Sequence, residues 1–262
     1  MFKKVRLIVI LSVVIITGTF VCMRFLYIVP VIAYHSINQK NDSVMYRLIV
    51  SPQAFERQMQ FLKRHRYNVV SLEALGRLMQ NKEKFPSKTV AITFDDGYRD
   101  NYIYAYPVLK RLGLPATIFV IYNEVGRPQN DRLSWDEIKE MQDSGLITIG
   151  SHTLGAQPLV DIKSEEELRR QIIDSKKMFE EKLKTPVNTF CYVGGMFTPH
   201  IKELVRQAGY KYAVSTTLGR RYSNQDVYAI KRVRISPPSD NLFDFWIRTS
   251  GFYNSFRKHE NK

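Results

Sequence analysis

Two neighbouring carboxylates stand directly after an apolar, β-branched run of the sequence. Asp95 and Asp96 follow the run Thr89–Phe94, which has the composition of a buried strand, and Gly97 allows a sharp turn after them. Adjacent Asp side chains repel each other unless a cation or a proton lies between them. One Asp would suffice to cap a helix over Tyr98–Tyr106, whereas two favour a metal site or an acid–base pair.

A histidine stands in a similar place after a second apolar run. His152 follows Ile149, Gly150 and Ser151, which is the pattern of a strand and then a turn. A single histidine at a strand end is more often a structural residue than a ligand. Together with Asp96, however, His152 would supply half of a site for a hard or borderline metal such as zinc.

The segments that must position these residues alternate between strand and helix patterns. Strands are predicted at 31–34, 69–70, 89–94, 116–121, 146–149, 189–192 and 212–215. Helices are predicted at 51–66, 71–79, 104–112, 135–143, 164–183, 199–208 and 241–253. This alternation is typical of an α/β fold with parallel strands, either a barrel or an open sheet. Because functional residues of such folds gather at the carboxyl ends of the strands, Asp95, Asp96 and His152 are expected to converge.

The composition is that of a folded protein with a large positive charge. The chain has 262 residues, 44% of them hydrophobic, and a formal net charge of +14. This length suits one sizeable domain or two small ones, and two cysteines exclude a disulfide scaffold or a multi-cysteine zinc module. Lysines and arginines are dispersed among acidic residues rather than clustered with exposed aromatics. A nucleic-acid partner is therefore not predicted.

The N-terminal segment predicts a membrane anchor. A basic start, MFKKVR, precedes a charge-free run from Leu7 to Met23, and no small-residue cleavage site follows. A single-pass signal anchor over residues 1–29 is therefore favoured over a cleaved signal peptide. Its basic end would lie in the cytoplasm and the rest of the chain outside it. The aromatic stretch 241–253 is expected to pack on the side of the fold, with contact to a membrane surface as the alternative.

A series of short motifs runs along the chain from about Val31 to about Ser215. In order they are AYHSI, SPQAFERQMQFLKRHRYNVVSLEAL, TFDDGYRDNY, LPATIFV, LSWDEIKEM, IGSHT and FCYVGG. Together they resemble the polysaccharide deacetylases with a NodB-homology domain, carbohydrate esterase family 4, in a membrane-anchored subgroup. TFDDG is the specific signal, and the other motifs are individually weak. The resemblance implies a distorted (β/α) barrel, with an N-terminal extension over 30–88 and the deacetylase domain over 89–262.

The resemblance also implies a role for each matching residue in removing N-acetyl groups from a cell-surface or exported amino-sugar polysaccharide. Asp95 matches the general base that deprotonates the attacking water. Asp96 and His152 match two ligands of a divalent metal, expected to be zinc. The metal polarises the acetamide carbonyl, and a backbone N–H near Gly194, in the FCYVGG turn, helps to hold the oxyanion.

Three departures from the family pattern leave the predicted site incomplete. The family's metal motif has a second histidine where Ala156 stands, and the neighbouring Gln157 is a poor zinc ligand. Cys191 occupies a position at which an arginine often orients the base. No C-terminal Leu-x-His segment supplies an acid for the leaving amine, since His259 lies in a charged tail.

Three outcomes are open. Water or Gln157 could complete a weaker metal site. His35, which follows the strand at 31–34, could reach the barrel mouth as a substitute ligand or acid. Alternatively, the protein is catalytically degenerate and only binds glycan, although retention of two repelling carboxylates argues for an enzyme. Arg232 and Arg234, in the segment KRVR, are interpreted as surface charges rather than groove residues.

Overall fold

The computed structural model describes residues 6, 12, 17–18, 27–39, 47–127, 131–216 and 226–253. Most of the predicted anchor over 1–29 lies outside these residues, and so does His259. Within the described part of the chain, no helix has both the length and the apolar composition needed to cross a bilayer.

Parallel strands form a nearly closed barrel. They are β1 (Val31–Tyr34), β2 (Ser36–Ile37), β3 (Ile49–Val50), β4 (Asn68–Val70), β5 (Thr89–Phe94), β6 (Ala116–Val120), β7 (Ile147–Ser151), β8 (Thr189–Cys191), β9 (Tyr212–Ser215), β10 (Ile230–Lys231) and β11 (Val233–Arg234). The main sheet has the order β10-β9-β8-β7-β6-β5-β1-β11, β4 pairs with β5, and β2 pairs with β3 separately. Only Arg232 separates β10 from β11, so the two ends of the sheet meet at this residue. The barrel alternative among the predicted folds is therefore confirmed.

Helices cover the outside of this barrel. They are α1 (Pro52–Arg64), α2 (Leu72–Gln80), α3 (Tyr106–Leu112), α4 (Trp135–Asp143), α5 (Glu165–Arg169), α6 (Ser175–Leu183), α7 (Pro199–Gln207) and α8 (Leu242–Thr249). A π-helical segment, Arg170–Asp174, joins α5 to α6, which confirms the long helix predicted over 164–183. Another π-helical segment, Asn101–Ala105, leads into α3, so that helical region begins earlier than predicted. Side-chain oxygens of Ser51 and Ser71 cap α1 and α2 as N-caps should.

Alternate residues of each strand point into the barrel, where they form a hydrophobic core. Val31, Phe119 and Val214 pack there with Leu72 and Leu75 of α2. Val31 opens β1, so α2 reaches the barrel at the amino-terminal ends of its strands. Helix α2 closes this end, and the carboxyl ends form the open mouth.

The strand β7 extends further than its sequence predicts. The pattern predicted an end at Ile149 with a turn over Gly150 and Ser151, but both residues pair with Phe119 and Val120 of β6. Tertiary pairing thus overrides their weak strand propensity. The close approach at Gly150 explains why a glycine stands there, because an added Cβ would lie 2.5 Å from Thr189 Oγ1 and 2.6 Å from the Phe119 ring.

Substitution of Gly150 by Ala should therefore destabilise the barrel. We expect a loss of about 1–3 kcal/mol in the free energy of unfolding, the usual range for overpacking a core. Denaturant unfolding monitored by circular dichroism measures it. Gly155→Ala is the matched control, because its added Cβ would meet no atom closer than 3.8 Å. Equal losses in the two variants would contradict the packing argument.

Candidate active site

Four buried polar side chains meet inside the mouth of the barrel. Asp95 continues the inward-facing row of β5, and His152 continues that of β7. Cys191 ends β8, and Arg232 lies at the seam between β10 and β11. Their residues are 3%, 3%, 0% and 5% exposed, respectively. The convergence of Asp95 and His152 follows from the parallel strands, as the sequence predicts.

Arg232 holds Asp95 with two short hydrogen bonds. Its two terminal nitrogens donate to Asp95 Oδ1 and Oδ2, each over 2.6 Å. Further bonds of 3.1 Å run to Thr93 Oγ1 and Cys191 Sγ. Burial acts to raise the pKa of Asp95, but the Arg232 guanidinium outweighs burial and holds this pKa far below its usual range. Asp95 is therefore ionised throughout the physiological pH range.

The interpretation of Arg232 as a surface charge is wrong, whereas Arg234 is exposed as predicted. Arg232, at the seam between β10 and β11, brings a guanidinium to Asp95 and contacts the Cys191 sulfur at 3.1 Å. The alternation of inward- and outward-facing residues along a strand could have revealed the buried position of Arg232. It lies two residues after Ile230, which faces the barrel interior. The strand break at this point hid the pattern.

His152 and Asp96 have the geometry of two metal ligands. The His152 Nδ1 atom lies 2.8 Å from the Cys191 carbonyl oxygen, a bond that orients the ring as outer-sphere bonds of metal-binding histidines do. The other ring nitrogen, Nε2, lies 3.5 Å from Asp96 Oδ1. Two ligands of a tetrahedral zinc ion are separated by about 3.4 Å. The residues present therefore fit a divalent metal.

The charges around His152 favour a cation at this place. Burial lowers the pKa of His152, but Cys191 and the Asp96 carboxylate outweigh burial and raise this pKa well above its ordinary value. Burial likewise raises the pKa of Asp96, and hydrogen bonding to His152 reverses the effect and lowers it. Burial raises the pKa of the Cys191 thiol. The negative charge beside His152 therefore comes from the carboxylates of Asp95 and Asp96, and a proton or a metal ion balances it.

The backbone on both sides of the pair adopts unusual conformations. Asp96 and Thr153 have φ angles of 68° and 69°, and for a β-branched residue such as Thr153 this region is a true outlier. Gln171 stabilises the second turn by accepting hydrogen bonds from the backbone N–H groups of Leu154 and Gly155, at 3.1 and 2.9 Å. Strained backbone of this kind is typical of functional sites. The helix-cap alternative for Asp95 and Asp96 is wrong, since the next helical segment begins at Asn101.

His35 reaches the site. Its Nε2 atom lies 3.7 Å from Asp95 Oδ2. Its Nδ1 atom is buried without a hydrogen-bond partner in the part of the chain that the structure describes. Burial lowers the pKa of His35, although Asp95 and Asp96 counteract part of this effect. Of the two ring nitrogens of His35, Nε2 is therefore the one that faces Asp95, and Nδ1 is the buried atom.

The remaining predicted residues differ in their placement. Gly194 lies in the exposed turn that follows β8, with a φ angle of 65°. Gln157 is exposed to solvent, unlike the buried donors. Cys191, by contrast, offers a ligand atom within 4.8 Å of atoms of Asp95 and His152. The sequence treated Cys191 only as a missing arginine and so missed its position as a possible third metal ligand.

Comparison with known proteins identifies the family. A model described as "Polysaccharide deacetylase" matches residues 82–213. The chain belongs to the polysaccharide deacetylase family. It is 34% identical over 208 residues to YxkH of Bacillus subtilis, a polysaccharide deacetylase by name, which covers 79% of this chain and 71% of that protein. It is 31% identical to the poly-β-1,6-N-acetyl-D-glucosamine N-deacetylase of Staphylococcus aureus, over 78% of this chain and 73% of that protein.

Solved deacetylase structures have the same fold. The Streptococcus pyogenes deacetylase PplD in complex with acetate superposes with a TM-score of 0.74 at 28% identity, over 83% of this chain and 97% of that one. IcaB from Ammonifex degensii gives a TM-score of 0.73 at 25% identity, over 85% and 96% of the two chains. The deacetylase resemblance and the barrel predicted from the motifs are thus confirmed.

Proposed function

We propose that this polysaccharide deacetylase is a metal-dependent enzyme that removes N-acetyl groups from an amino-sugar-containing polysaccharide at the cell surface or in export. We further propose that the apolar run 7–23 of the segment 1–29 anchors the protein in the cell membrane, with the barrel outside the cytoplasm. The observation that carries the enzymatic proposal is the Arg232–Asp95 pair beside His152 and Asp96. A buried carboxylate whose pKa is strongly lowered by a charged partner is typical of a catalytic site, and binding of glycan alone does not require one.

We propose the following proton transfers. Asp95 accepts a proton from the attacking water. Because the pKa of Asp95 is low, Asp95 releases this proton readily. His35 Nε2, which lies 3.7 Å from Asp95 Oδ2, can accept it. His35 can then deliver a proton to the nitrogen of the leaving amine, so that acetate and a free amine are released. The backbone N–H of Gly194 is proposed to donate to the oxyanion.

The proposed metal centre consists of Asp96 and His152. Cys191 forms a second group of possible donors, with Asp95 and the same His152. A divalent metal bound there would polarise the amide carbonyl and lower the pKa of water. Cys191 fits the soft-ligand preference of zinc better than Gln157 does. Gln157 is exposed to solvent, unlike the buried donors.

A second candidate function is binding of glycan without catalysis. It is favoured by Ala156, which is exposed where the family pattern has a second histidine. The two candidates differ in what they predict for the full-length protein. Only the enzyme releases acetate, and only the enzyme needs the carboxylates at positions 95 and 96.

Metal content and acetate release test the proposal together. The full-length protein is dialysed and its metal measured by elemental analysis, beside Asp96→Asn and the exposed control Asp161→Asn. Acetate release is then measured on β-1,6- and β-1,4-linked N-acetylglucosamine oligomers. We expect stoichiometric metal and acetate release in the wild type and the control, and loss of both in Asp96→Asn. Glycan binding without metal or acetate would instead support the second candidate.

A further inference from the structure

An aromatic groove of about 360 Å³ lies on the flank of the barrel, and its lining includes none of the site residues described above. Helices α1 and α8 form its walls, with Phe61, Tyr67, Phe243 and Trp246 among its lining residues and Lys88 at its edge. We call it the α1–α8 groove. The proposed deacetylation makes no use of it.

Two aromatic rings of this groove face solvent. Phe243 is 64% exposed and Trp246 is 47% exposed, and their ring centroids lie 5.7 Å apart. Between them in sequence, Phe245 is fully buried and contacts Phe61 of α1 edge-on. Helix α8 therefore packs with one face and leaves a second apolar face uncovered. Adjacent exposed aromatic rings of this size mark an interaction surface.

The described domain begins beside this groove. Ile28 donates a backbone hydrogen bond of 2.9 Å to Gly251, just after α8, and the Tyr27 ring packs on Phe252 with centroids 5.7 Å apart. Burial, and to a lesser degree the neighbouring Tyr67 of the groove, raise the pKa of Tyr27. The start of the domain and the groove are thus part of one surface.

Chain length places this surface close to the end of the apolar run. Four residue steps separate Met23, the last residue of the run, from Tyr27, and they span at most about 14 Å. This step rests on the proposed membrane anchor. If the run up to Met23 crosses the bilayer, Tyr27 must lie within that distance of the hydrocarbon boundary. The surface around Tyr27 then faces the lipid headgroups.

The charges at the rim fit an anionic lipid surface. Lys88 lines the groove, and Lys63, Arg64 and Arg66 are exposed next in sequence to its lining residues Phe61, His65 and Tyr67. The nearby carboxylate of Asp244 is paired with Arg248 at 2.6 Å. Aromatic rings flanked by basic side chains are the combination that binds the interface of an anionic membrane.

We propose that the α1–α8 groove is a second membrane contact, which docks the flank of the barrel on the surface of an anionic phospholipid bilayer. Phe243 and Trp246 insert at the level of the headgroups, and the basic rim contacts lipid phosphates. The contact fixes the orientation of the barrel relative to the membrane. A flexible anchor alone leaves that orientation free.

Trp246 itself reports on the contact. The chain has two tryptophans, so Trp135→Phe leaves Trp246 as the only one. The full-length variant is reconstituted in vesicles of phosphatidylglycerol and phosphatidylcholine, with and without brominated acyl chains, and flotation shows that it is bound. We expect the Trp246 emission to shift to the blue and to lose roughly half its intensity with brominated lipid, as for a side chain at the acyl boundary. Replacing Lys63 and Arg64 by Gln should weaken this quenching.

A control tryptophan on the opposite flank makes the result specific. Trp135→Phe/Trp246→Phe/Gln207→Trp carries its fluorophore at an exposed position of α7, which connects β8 to β9, across the sheet from β1. Its emission should not respond to brominated lipid. Protein that floats with vesicles but shows no quenching of Trp246 would overturn the docking proposal and leave the anchor intact. Protein that does not float would overturn the anchor as well, while acetate release by the same sample judges the enzymatic proposal separately.

Discussion

Asp95→Asn should lower acetate release by about a hundredfold to ten-thousandfold, the usual contribution of a general base, and should leave the bound metal in place. The amide has nearly the shape of the carboxylate but cannot take a proton from water. Asp95 already has both oxygens engaged by Arg232. The metal should therefore depend on Asp96 and His152 and not on Asp95. Steady-state acetate release and elemental analysis of the same preparation measure the two effects.

The controls for Asp95→Asn separate a base from a ligand. Asp96→Asn should lose metal and activity together, and Asp161→Asn, at an exposed position, should keep both. Thermal unfolding of each variant shows whether the fold is intact. If Asp95→Asn lost its metal, the assignment of Asp95 as base would be wrong. Asp95 would then be a ligand together with His152 and Cys191, whose donor atoms lie within 4.8 Å of it.

Removal of Arg232 should be the most destabilising change of a single charged residue in the site. Its side chain is 1% exposed and that of Asp95 is 5% exposed, so Arg232→Gln leaves an unpaired carboxylate in the barrel. We expect a loss of about 3–5 kcal/mol in the free energy of unfolding at neutral pH. Denaturant titration measures this loss. The double variant Asp95→Asn/Arg232→Gln should lose less than the sum of the two single variants.

The loss of stability in Arg232→Gln should depend on pH, and the direction of this dependence follows from the pKa of Asp95. In the intact protein the pKa of Asp95 is depressed, so its stabilisation is complete above the ordinary pKa of an unfolded aspartate, about 3.9, and is lost only at lower pH. Without Arg232, burial dominates and raises the pKa of Asp95. The variant should then recover stability relative to the wild type as the pH falls, and the acid limb of its activity should move to higher pH. A deficit of stability that does not change with pH would show that Arg232 acts by packing alone.

The sequence predicted the parts of the site that depend on regular strands. Asp95 and His152 could be placed together because each follows an apolar strand, and parallel strands end at the same mouth. Arg232 could not be placed, because β10 and β11 are too short to give a pattern and their pairing is decided by closure of the barrel. Cys191 lies on the predicted strand 189–192 and could have been placed at the mouth, but it was considered only as a missing arginine. The role of His35 was only one of several open outcomes, since its position depends on how β1 pairs between β5 and β11. The assignments of individual site residues stay predictions until the variants are measured.

The seam of the barrel has a consequence for how the protein matures. Asp95 lies in the first half of the chain, and its counter-ion lies at position 232, in the last strand pair of the sheet. If the chain is exported across the membrane as proposed above, β5 emerges long before Arg232 does. During that interval, enclosure of Asp95 is opposed by its unpaired charge. We therefore expect the nascent barrel to stay open until its C-terminal strands emerge, so that no deacetylase activity appears before synthesis is nearly complete.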